Sequence, residues 1–179
     1  MRLFIAVKVA YDVANEIKKW SREVNLPGKK VEAENLHFTL YFLGERFESP
    51  SQIFGYLDEA LRDKKPFVLR LRGLGAFFSR TTPKVLYIKV EEGSKQLCEL
   101  EKIVASSLPF YKRDKPFKPH LTVSRLKEDV NKRALEELLE QYKSKEFGSF
   151  KVDKVILFSS NLRPSGPVYK AEAQWKLVD

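Results

Sequence analysis

Two short segments of the chain have residue types suited to acid–base chemistry, and they repeat the same order. They read His-Phe-Thr-Leu at residues 37–40 and His-Leu-Thr-Val at residues 120–123, and they contain both histidines of the 179-residue chain. Histidine can give or take a proton near neutral pH. A threonine hydroxyl can donate a hydrogen bond to a developing negative charge. Two such segments facing one groove would form a proton donor and acceptor pair.

Both segments have the composition of β-strands, in which alternate side chains point to opposite faces. His37 and Thr39 would share one face, while Phe38 and Leu40 would pack into a core from the other. A single histidine in a strand is more often structural than catalytic. The repetition of its neighbours around both histidines favours the catalytic interpretation.

The surrounding pattern predicts alternating strands and helices. Strands are predicted near residues 3–9, 36–43, 67–78, 85–90, 120–123, 150–158 and 168–178. Helices are predicted from Asp12, as N-cap, to about Asn25, from Ser49-Pro50 through Leu61, over 94–107, and over about 130–143.

The two halves of the chain align without gaps at an offset of 83 residues, because 120 − 37 = 83. The same shift matches identical residues in four further pairs: Leu3 with Leu86, Ile5 with Ile88, Val7 with Val90, and Phe67 with Phe150. An internal duplication is therefore predicted. The expected fold is α+β and two-lobed, each lobe an antiparallel-rich sheet with helices outside and a central cleft between the lobes. It is expected to form a single domain over 1–179, with repeats near 1–80 and 84–160 and a C-terminal strand at 166–178.

The composition limits the class of protein. Thirty-three Lys and Arg against 24 Asp and Glu give a net charge of +9, which favours a polyanionic partner. The single Cys98 cannot form an intramolecular disulfide. The N-terminal apolar run is too short for a signal peptide or a membrane span, so a cytoplasmic location is expected. Abundant Lys, Glu and Arg with one Cys and one Met resemble proteins from hot environments.

Three segments carry a resemblance to a known family: residues 35–44 around His37, residues 75–80, and residues 119–125 around His120. The chain resembles the two-histidine phosphoesterase superfamily, and within it the RNA 2′,3′-cyclic phosphodiesterases, also called 2′-5′ RNA ligases. The resemblance covers essentially the whole chain. It implies an enzyme that opens a terminal 2′,3′-cyclic phosphate on RNA to a 2′-phosphomonoester, and that can join such an end to a 5′-hydroxyl in reverse.

The resemblance also implies roles for the site residues. His37 would protonate the ribose 3′ oxygen and His120 would activate water, although the residues alone do not say which histidine does which. Thr39 and Thr122 would bind the phosphate, together with Arg125 five residues after His120. Strict alternation would point Arg125 away from the cleft, so the strand must bend or end near Ser124 for the arginine to reach it.

No metal and no cofactor are expected, because two histidines without clustered carboxylates are too few for the usual metal site. The expected partner is RNA with a cyclic phosphate end, including tRNA fragments, bound by a monomer that does not associate with membranes. Residues 112–118, rich in Lys and Arg with one Phe, could contact RNA. Phe77, Phe78 and Tyr41 could stack on a base.

Two alternatives stay open: a noncatalytic nucleotide-binding or RNA-binding module, and a phosphodiesterase for small cyclic phosphates from tRNA splicing.

Overall fold

The computed structural model describes residues 2–45, 48–110, 112 and 115–179. These residues form four α-helices and nine strands, with a single 3-10 turn at Ala33–Asn35. In chain order the elements are β1 (Arg2–Lys8), α1 (Tyr11–Glu23), β2 (Lys29–Lys30), β3 (His37–Glu45), α2 (Pro50–Leu61), β4 (Phe67–Ser79), β5 (Thr82–Glu92), α3 (Ser94–Ser106), β6 (Leu121–Arg125), α4 (Lys132–Gln141), β7 (Glu146–Val152), β8 (Lys154–Arg163) and β9 (Gly166–Lys176).

The strands form two antiparallel sheets, in the orders β3-β1-β8-β9 and β2-β6-β5-β4-β7. The first sheet holds the strand that begins at His37, and the second holds the strand that follows His120. The predicted α+β fold with two antiparallel lobes is confirmed.

The 83-residue shift reappears in the pairing of the strands. In the first sheet Ile5 of β1 lies opposite Leu157 of β8, and in the second sheet Ile88 of β5 lies opposite Leu74 of β4. Adding 83 to Ile5 and to Leu74 gives Ile88 and Leu157, so the two pairs are equivalent. The sheets therefore repeat the same local register, as a duplicated chain would.

Each sheet nevertheless contains two strands from the other half of the chain, β8 and β9 in the first sheet and β2 and β4 in the second. β4, from the first half, lies between β5 and β7, while β8, from the second half, lies beside β1. The helices also cross over, since α1 packs against β7 and α3 packs against β3. The two lobes in space are consequently not two contiguous halves of the sequence, and they share one hydrophobic core that includes Leu3, Ile5, Leu86 and Ile88.

Local predictions were right in some places and wrong in others. Ser49 is the N-cap of α2, in a capping box with Gln52. Asp12 is not the N-cap of α1: Ala10 takes that position without a side-chain cap, and Asp12 lies in the first turn. The strand predicted over 150–158 is two strands, because the chain leaves the second sheet at Val152 and enters the first at Lys154. Among the residues described, no helix is long and apolar enough to cross a bilayer.

Candidate active site

The two His-x-Thr segments face one cleft between the sheets. A cavity of about 660 Å³ is lined by His37, Thr39, His120, Thr122 and Arg125. Its remaining walls come from residues 29–32, 34 and 35, from Val85, and from the hairpin that joins β8 to β9, at Leu162 and 165–169. All five residues singled out from the sequence thus line the same cavity.

The ring of His37 is held by two hydrogen bonds. Nδ1 lies 2.6 Å from the backbone oxygen of Asn35, and since a carbonyl can only accept, Nδ1 must carry the proton and donate. Nε2 lies 3.0 Å from Oγ1 of Thr39. In the neutral ring Nε2 therefore has the lone pair and accepts from the threonine hydroxyl. The nitrogen that can exchange a proton with a substrate is Nε2.

His120 is held in the same way on the other wall. Its Nδ1 donates to the backbone oxygen of Lys118 at 2.7 Å, again two residues before the histidine. Asn35 and Lys118 are themselves 83 residues apart. Nε2 of His120 makes no hydrogen bond to any described residue. In the neutral ring this nitrogen carries the lone pair.

Aromatic rings fix both imidazoles from the side. The ring of His37 lies 5.0 Å from Phe4 and 5.4 Å from Tyr169, measured between centroids. The ring of His120 lies 4.9 Å from Phe77 and 5.8 Å from Tyr87. Phe4 and Tyr87 are equivalent under the 83-residue shift. This packing restricts rotation of both rings and leaves their orientation to the backbone hydrogen bonds.

A β-bulge brings Arg125 to the cleft. Leu86 pairs with Ser124 while the next residue, Tyr87, pairs with Thr122, so one residue of β6 is extra at Val123. A bulge of this kind breaks the alternation of side chains. Thr122 and Arg125, three apart, therefore line the same cavity. β3 has the equivalent bulge, since Ile5 pairs with Tyr41 and Ala6 with Thr39.

The short strand β2 supports this part of the wall. Ser124, fully buried, donates its hydroxyl to the backbone oxygen of Pro27. Gly28 follows with φ of +82°, and a Cβ there would clash with the backbone oxygen of Arg125. Only glycine lets β2 approach β6 this closely. The contact places Lys29 and Lys30 on the rim of the cleft.

The electrostatic environment favours neutral imidazoles in the free protein. Burial lowers the pKa of His37, a backbone hydrogen bond to Asn35 partly offsets this, and the charges of Arg125 and His120 lower it further. Burial likewise lowers the pKa of His120, opposed by its hydrogen bond to Lys118 and assisted by the charges of Lys118 and Arg125. Burial raises the pKa of Tyr169, and Arg125 opposes that shift. The guanidinium of Arg125 thus acts on three groups of the cleft.

The aromatic residues proposed from the sequence for base stacking do not line the cleft. Tyr41 packs against the main core, Phe77 packs on Tyr87 and His120, and Phe78 is 51% exposed outside the cavity. Tyr169, which sequence reasoning missed, does line the cleft. Its position depends on the pairing of β8 with β1, which no local pattern indicates.

Asn35 was also missed, although it serves the site twice. Its backbone oxygen orients His37, and its Nδ2 donates to the backbone oxygen of Pro167 at 3.1 Å, which ties the β8–β9 hairpin to the cleft. The one available signal was its place two residues before the histidine.

In the basic segment 112–118, Arg113 and Asp114 lie outside the described residues, so its proposed RNA contact stays a prediction. Lys118 is described, and its Nζ lies 5.1 Å from the ring centre of Phe77. No group of three or more His, Cys, Asp or Glu among the residues described is arranged to hold a metal ion.

The sequence profile of the 2′-5′ RNA ligase superfamily matches residues 9–163. RNA 2′,3′-cyclic phosphodiesterase of Aquifex aeolicus is 36% identical, over 97% of this chain and 94% of the relative. The protein of the same name from Methanocaldococcus jannaschii is 33% identical, over 98% and 100%. The crystal structure of E. coli LigT complexed with 3′-AMP superposes with a TM-score of 0.79 and 25% identity, over 99% of this chain and 98% of the other.

The fold and the paired His-x-Thr motifs are those of the two-histidine phosphoesterases. Within that class, the chain belongs to the 2′-5′ RNA ligase superfamily. The resemblance carried by residues 35–44, 75–80 and 119–125 is thereby confirmed.

Proposed function

We propose that the protein hydrolyses the terminal 2′,3′-cyclic phosphate of RNA to a 2′-phosphomonoester by metal-independent acid–base catalysis with two histidines. The observation that supports this best is the arrangement of His37 and His120 around one cavity. In each histidine, the Nδ1–H group donates to a backbone oxygen. Nε2 is therefore the nitrogen available to the substrate. The relatives named as RNA 2′,3′-cyclic phosphodiesterases support the same activity.

In the proposed reaction, water attacks phosphorus while the bond from phosphorus to the ribose 3′ oxygen breaks. His120 takes the proton from water, and His37 reacts in its imidazolium form, in which Nε2 is also protonated and gives that proton to the departing oxygen. The free Nε2 of His120 among the described residues supports its assignment as the base. Thr39, Thr122 and Arg125 bind the non-bridging oxygens and stabilise the charge that develops on them. These two side chains account for both proton transfers, and the step requires no further acid or base.

When a 5′-hydroxyl takes the place of water, the same attack joins the cyclic phosphate end to it with a 2′-5′ bond, and the two histidines keep their roles. They exchange roles in the reverse of this ligation, which cleaves the 2′-5′ bond and closes the ring, by microscopic reversibility. The strained ring supplies the driving force, so neither direction requires ATP. We propose cyclic-phosphate-ended RNA, including tRNA fragments, as the substrate, and a cytoplasmic monomer as the active form. The 3′-AMP bound by LigT is a nucleotide of the size that a cleft of about 660 Å³ admits.

The experiment combines turnover with substitution of each histidine. A nucleoside 2′,3′-cyclic phosphate is incubated with the protein in excess chelator, and the phosphate position of the product is read by phosphorus NMR. We expect a 2′-phosphate product, and a rate lowered about a hundredfold to ten-thousandfold in His37→Ala and in His120→Ala. The rate loss in the double variant should be smaller than the product of the losses in the two single variants, because both histidines act in one event.

Thermal melting of each variant is the control for folding. Binding without turnover in the native protein would favour a noncatalytic module. Turnover that chelator abolishes and one divalent ion restores would contradict the metal-independent mechanism. Turnover of small cyclic phosphates without turnover of RNA that ends in a cyclic phosphate would favour the other alternative, a phosphodiesterase for small cyclic phosphates from tRNA splicing.

A further inference from the structure

A second cavity, of about 690 Å³, borders the candidate active cleft. Glu34 lines both cavities, and its neighbours in the 3-10 turn line one each, Ala33 the second cavity and Asn35 the cleft. Lys8, which lines the second cavity, lies directly opposite His37 in the pairing of β1 with β3. A chain that leaves the cleft over this turn enters the second cavity at once.

The second cavity is rich in lysine. Lys8, Lys18, Lys151 and Lys154 line it, against the carboxylates of Glu34 and Asp153, which leaves a surplus of two positive charges. Among the residues that the structure describes, Lys8, Lys18 and Lys154 form no ion pair, and Lys151 has only Asp179 at 3.9 Å. We call this cavity the lysine groove. Free lysines along a groove are typical of sites that follow a phosphate backbone.

Two further features of the lysine groove suit a nucleic acid. Tyr11 on its wall is 83% exposed and offers an aromatic face for stacking. The first turn of α1 also borders the groove through Ala10, Tyr11 and Ala14, and its N-cap, Ala10, supplies no side-chain cap. The N–H of Ala14 donates to the backbone oxygen of Ala10, whereas the N–H groups of residues 11–13 precede the first bond of the helix and are available to an anion.

We propose that the lysine groove binds the single-stranded RNA that precedes the cyclic end. The proposal rests on the function proposed above, since the cyclic phosphate occupies the 3′ end and the rest of the strand must leave the cleft on its 5′ side. Lysines that bind phosphates and an aromatic ring that stacks on a base are the combination by which proteins hold single strands. The groove gives the enzyme a preference for an RNA end over a free cyclic nucleotide.

The test compares a nucleoside 2′,3′-cyclic phosphate with a short single-stranded RNA that ends in the same group. In the double variant Lys18→Gln/Lys154→Gln, KM for the RNA should rise. The slope of log KM against log salt concentration should decrease by about 1.4, or roughly 0.7 for each charge removed. In Tyr11→Ala, KM for the RNA should rise about tenfold through loss of one stacked base. Kinetics with the free nucleotide should not change in either variant.

The control variant Lys102→Gln/Lys132→Gln removes the same charge from two exposed lysines that line neither cavity. It should leave the RNA kinetics unchanged. A second measurement does not depend on catalysis: fluorescence anisotropy of a labelled RNA that ends in a 2′-phosphate, titrated with each variant.

These outcomes separate the two proposals. If neither substrate is turned over but the RNA binds with the same dependence on Lys18 and Lys154, the proposed function fails and the groove remains an RNA site. If the native protein turns over RNA and nucleotide with equal kcat/KM, and the groove variants match the control, the groove proposal is overturned while the function stands. Weaker RNA binding in the control equal to that in the groove variants also overturns it, because general charge would then explain the effect.

Discussion

At the scale of single residues, the carbonyl groups of Asn35 and Lys118 set the tautomers of the two histidines. Asn35 and Lys118 each accept from a histidine Nδ1, which selects the tautomer with a basic Nε2. The aromatic rings around each imidazole bury it and lower its pKa. Each ring is thereby held in one orientation toward the cleft. Little further conformational entropy is then lost when the proposed transition state forms.

Arg125→Gln should move the pH profile of the reaction to higher pH. The positive charge of Arg125 disfavours the protonated form of both histidines, so its removal raises both pKa values. kcat/KM for a nucleoside 2′,3′-cyclic phosphate, which reports the pKa values of the free enzyme, should keep a bell shape with both limbs shifted in the alkaline direction. Its maximum should also fall, since Arg125 is one of the proposed phosphate ligands.

The matched control for this profile is Arg133→Gln, because Arg133 lies on α4 and does not line the cleft. It removes the same charge and should leave the profile in place. A lower maximum for Arg125→Gln with both limbs unmoved would show that Arg125 does not act on the histidines.

Thr39→Val and Thr122→Val test the hydroxyls separately from the histidines. Valine keeps the shape of threonine and removes the donor, so each change should cost about 1–3 kcal/mol of transition-state stabilisation, less than loss of a histidine. The measurement is kcat/KM for the cyclic nucleotide, with thermal melting alongside. Thr82→Val on β5, away from the cleft, is the control. Native rates in both cleft variants would remove the threonines from the mechanism.

The sequence predicts those site residues whose positions are set within one strand, and it does not predict those placed by pairing with a distant strand. His37 and Thr39 share a face through alternation within one strand, which the sequence displays directly. Tyr169 reaches the cleft only because β9 follows a strand that pairs with β1, more than 150 residues earlier in the chain. Placement by distant pairing leaves no mark on the residues near Tyr169, and reasoning from local pattern could not find it.

At the scale of elements, the bulge in β6 and the short strand β2 act together. The extra residue at Val123 turns Arg125 toward the cavity, and the close approach at Gly28 holds its backbone there. The sequence predicted the end of α1 near Asn25 but did not predict β2, since two residues of strand have no periodicity to detect. It predicted one strand over 150–158 because the apolar pattern continues through the sheet change at Asp153.

Gly28→Ala should harm both stability and activity. The new Cβ meets the backbone oxygen of Arg125, at a φ of +82° that alanine rarely adopts, so β2 must move away from β6. We expect a loss of about 1–3 kcal/mol in the free energy of unfolding and a raised KM for the cyclic nucleotide as Arg125 shifts. Chemical denaturation and steady-state kinetics measure the two effects.

Gly55→Ala is the matched control, because a Cβ there meets nothing within 4 Å and the residue lies within α2. It should stabilise the protein by about 0.5–1 kcal/mol with unchanged kinetics. Equal stability of the two alanine variants would contradict the structural role given to Gly28.

At the scale of the whole molecule, the exchange of strands makes the two lobes dependent on each other. β4 belongs to the first half of the chain yet pairs with β5 and β7, and β8 belongs to the second half yet pairs with β1. One core runs through both sheets. The duplication was visible at the 83-residue offset, but the exchange was not, because a repeat in sequence does not say which copies of a strand pair.

The exchange predicts one cooperative unfolding transition for the whole chain, in agreement with the single domain expected from its length. Circular dichroism and tryptophan fluorescence should give coincident melting curves, with equal calorimetric and van 't Hoff enthalpies. Fragments 1–80 and 81–179, cut at the turn between β4 and β5, should each stay unfolded alone, since each lacks strands that complete its sheet. Mixed in equal amounts, they should regain native circular dichroism and cyclic phosphate turnover. Two separate transitions, or a fragment that melts cooperatively by itself, would mean that each half carries a sufficient core and that the exchanged strands are dispensable to it.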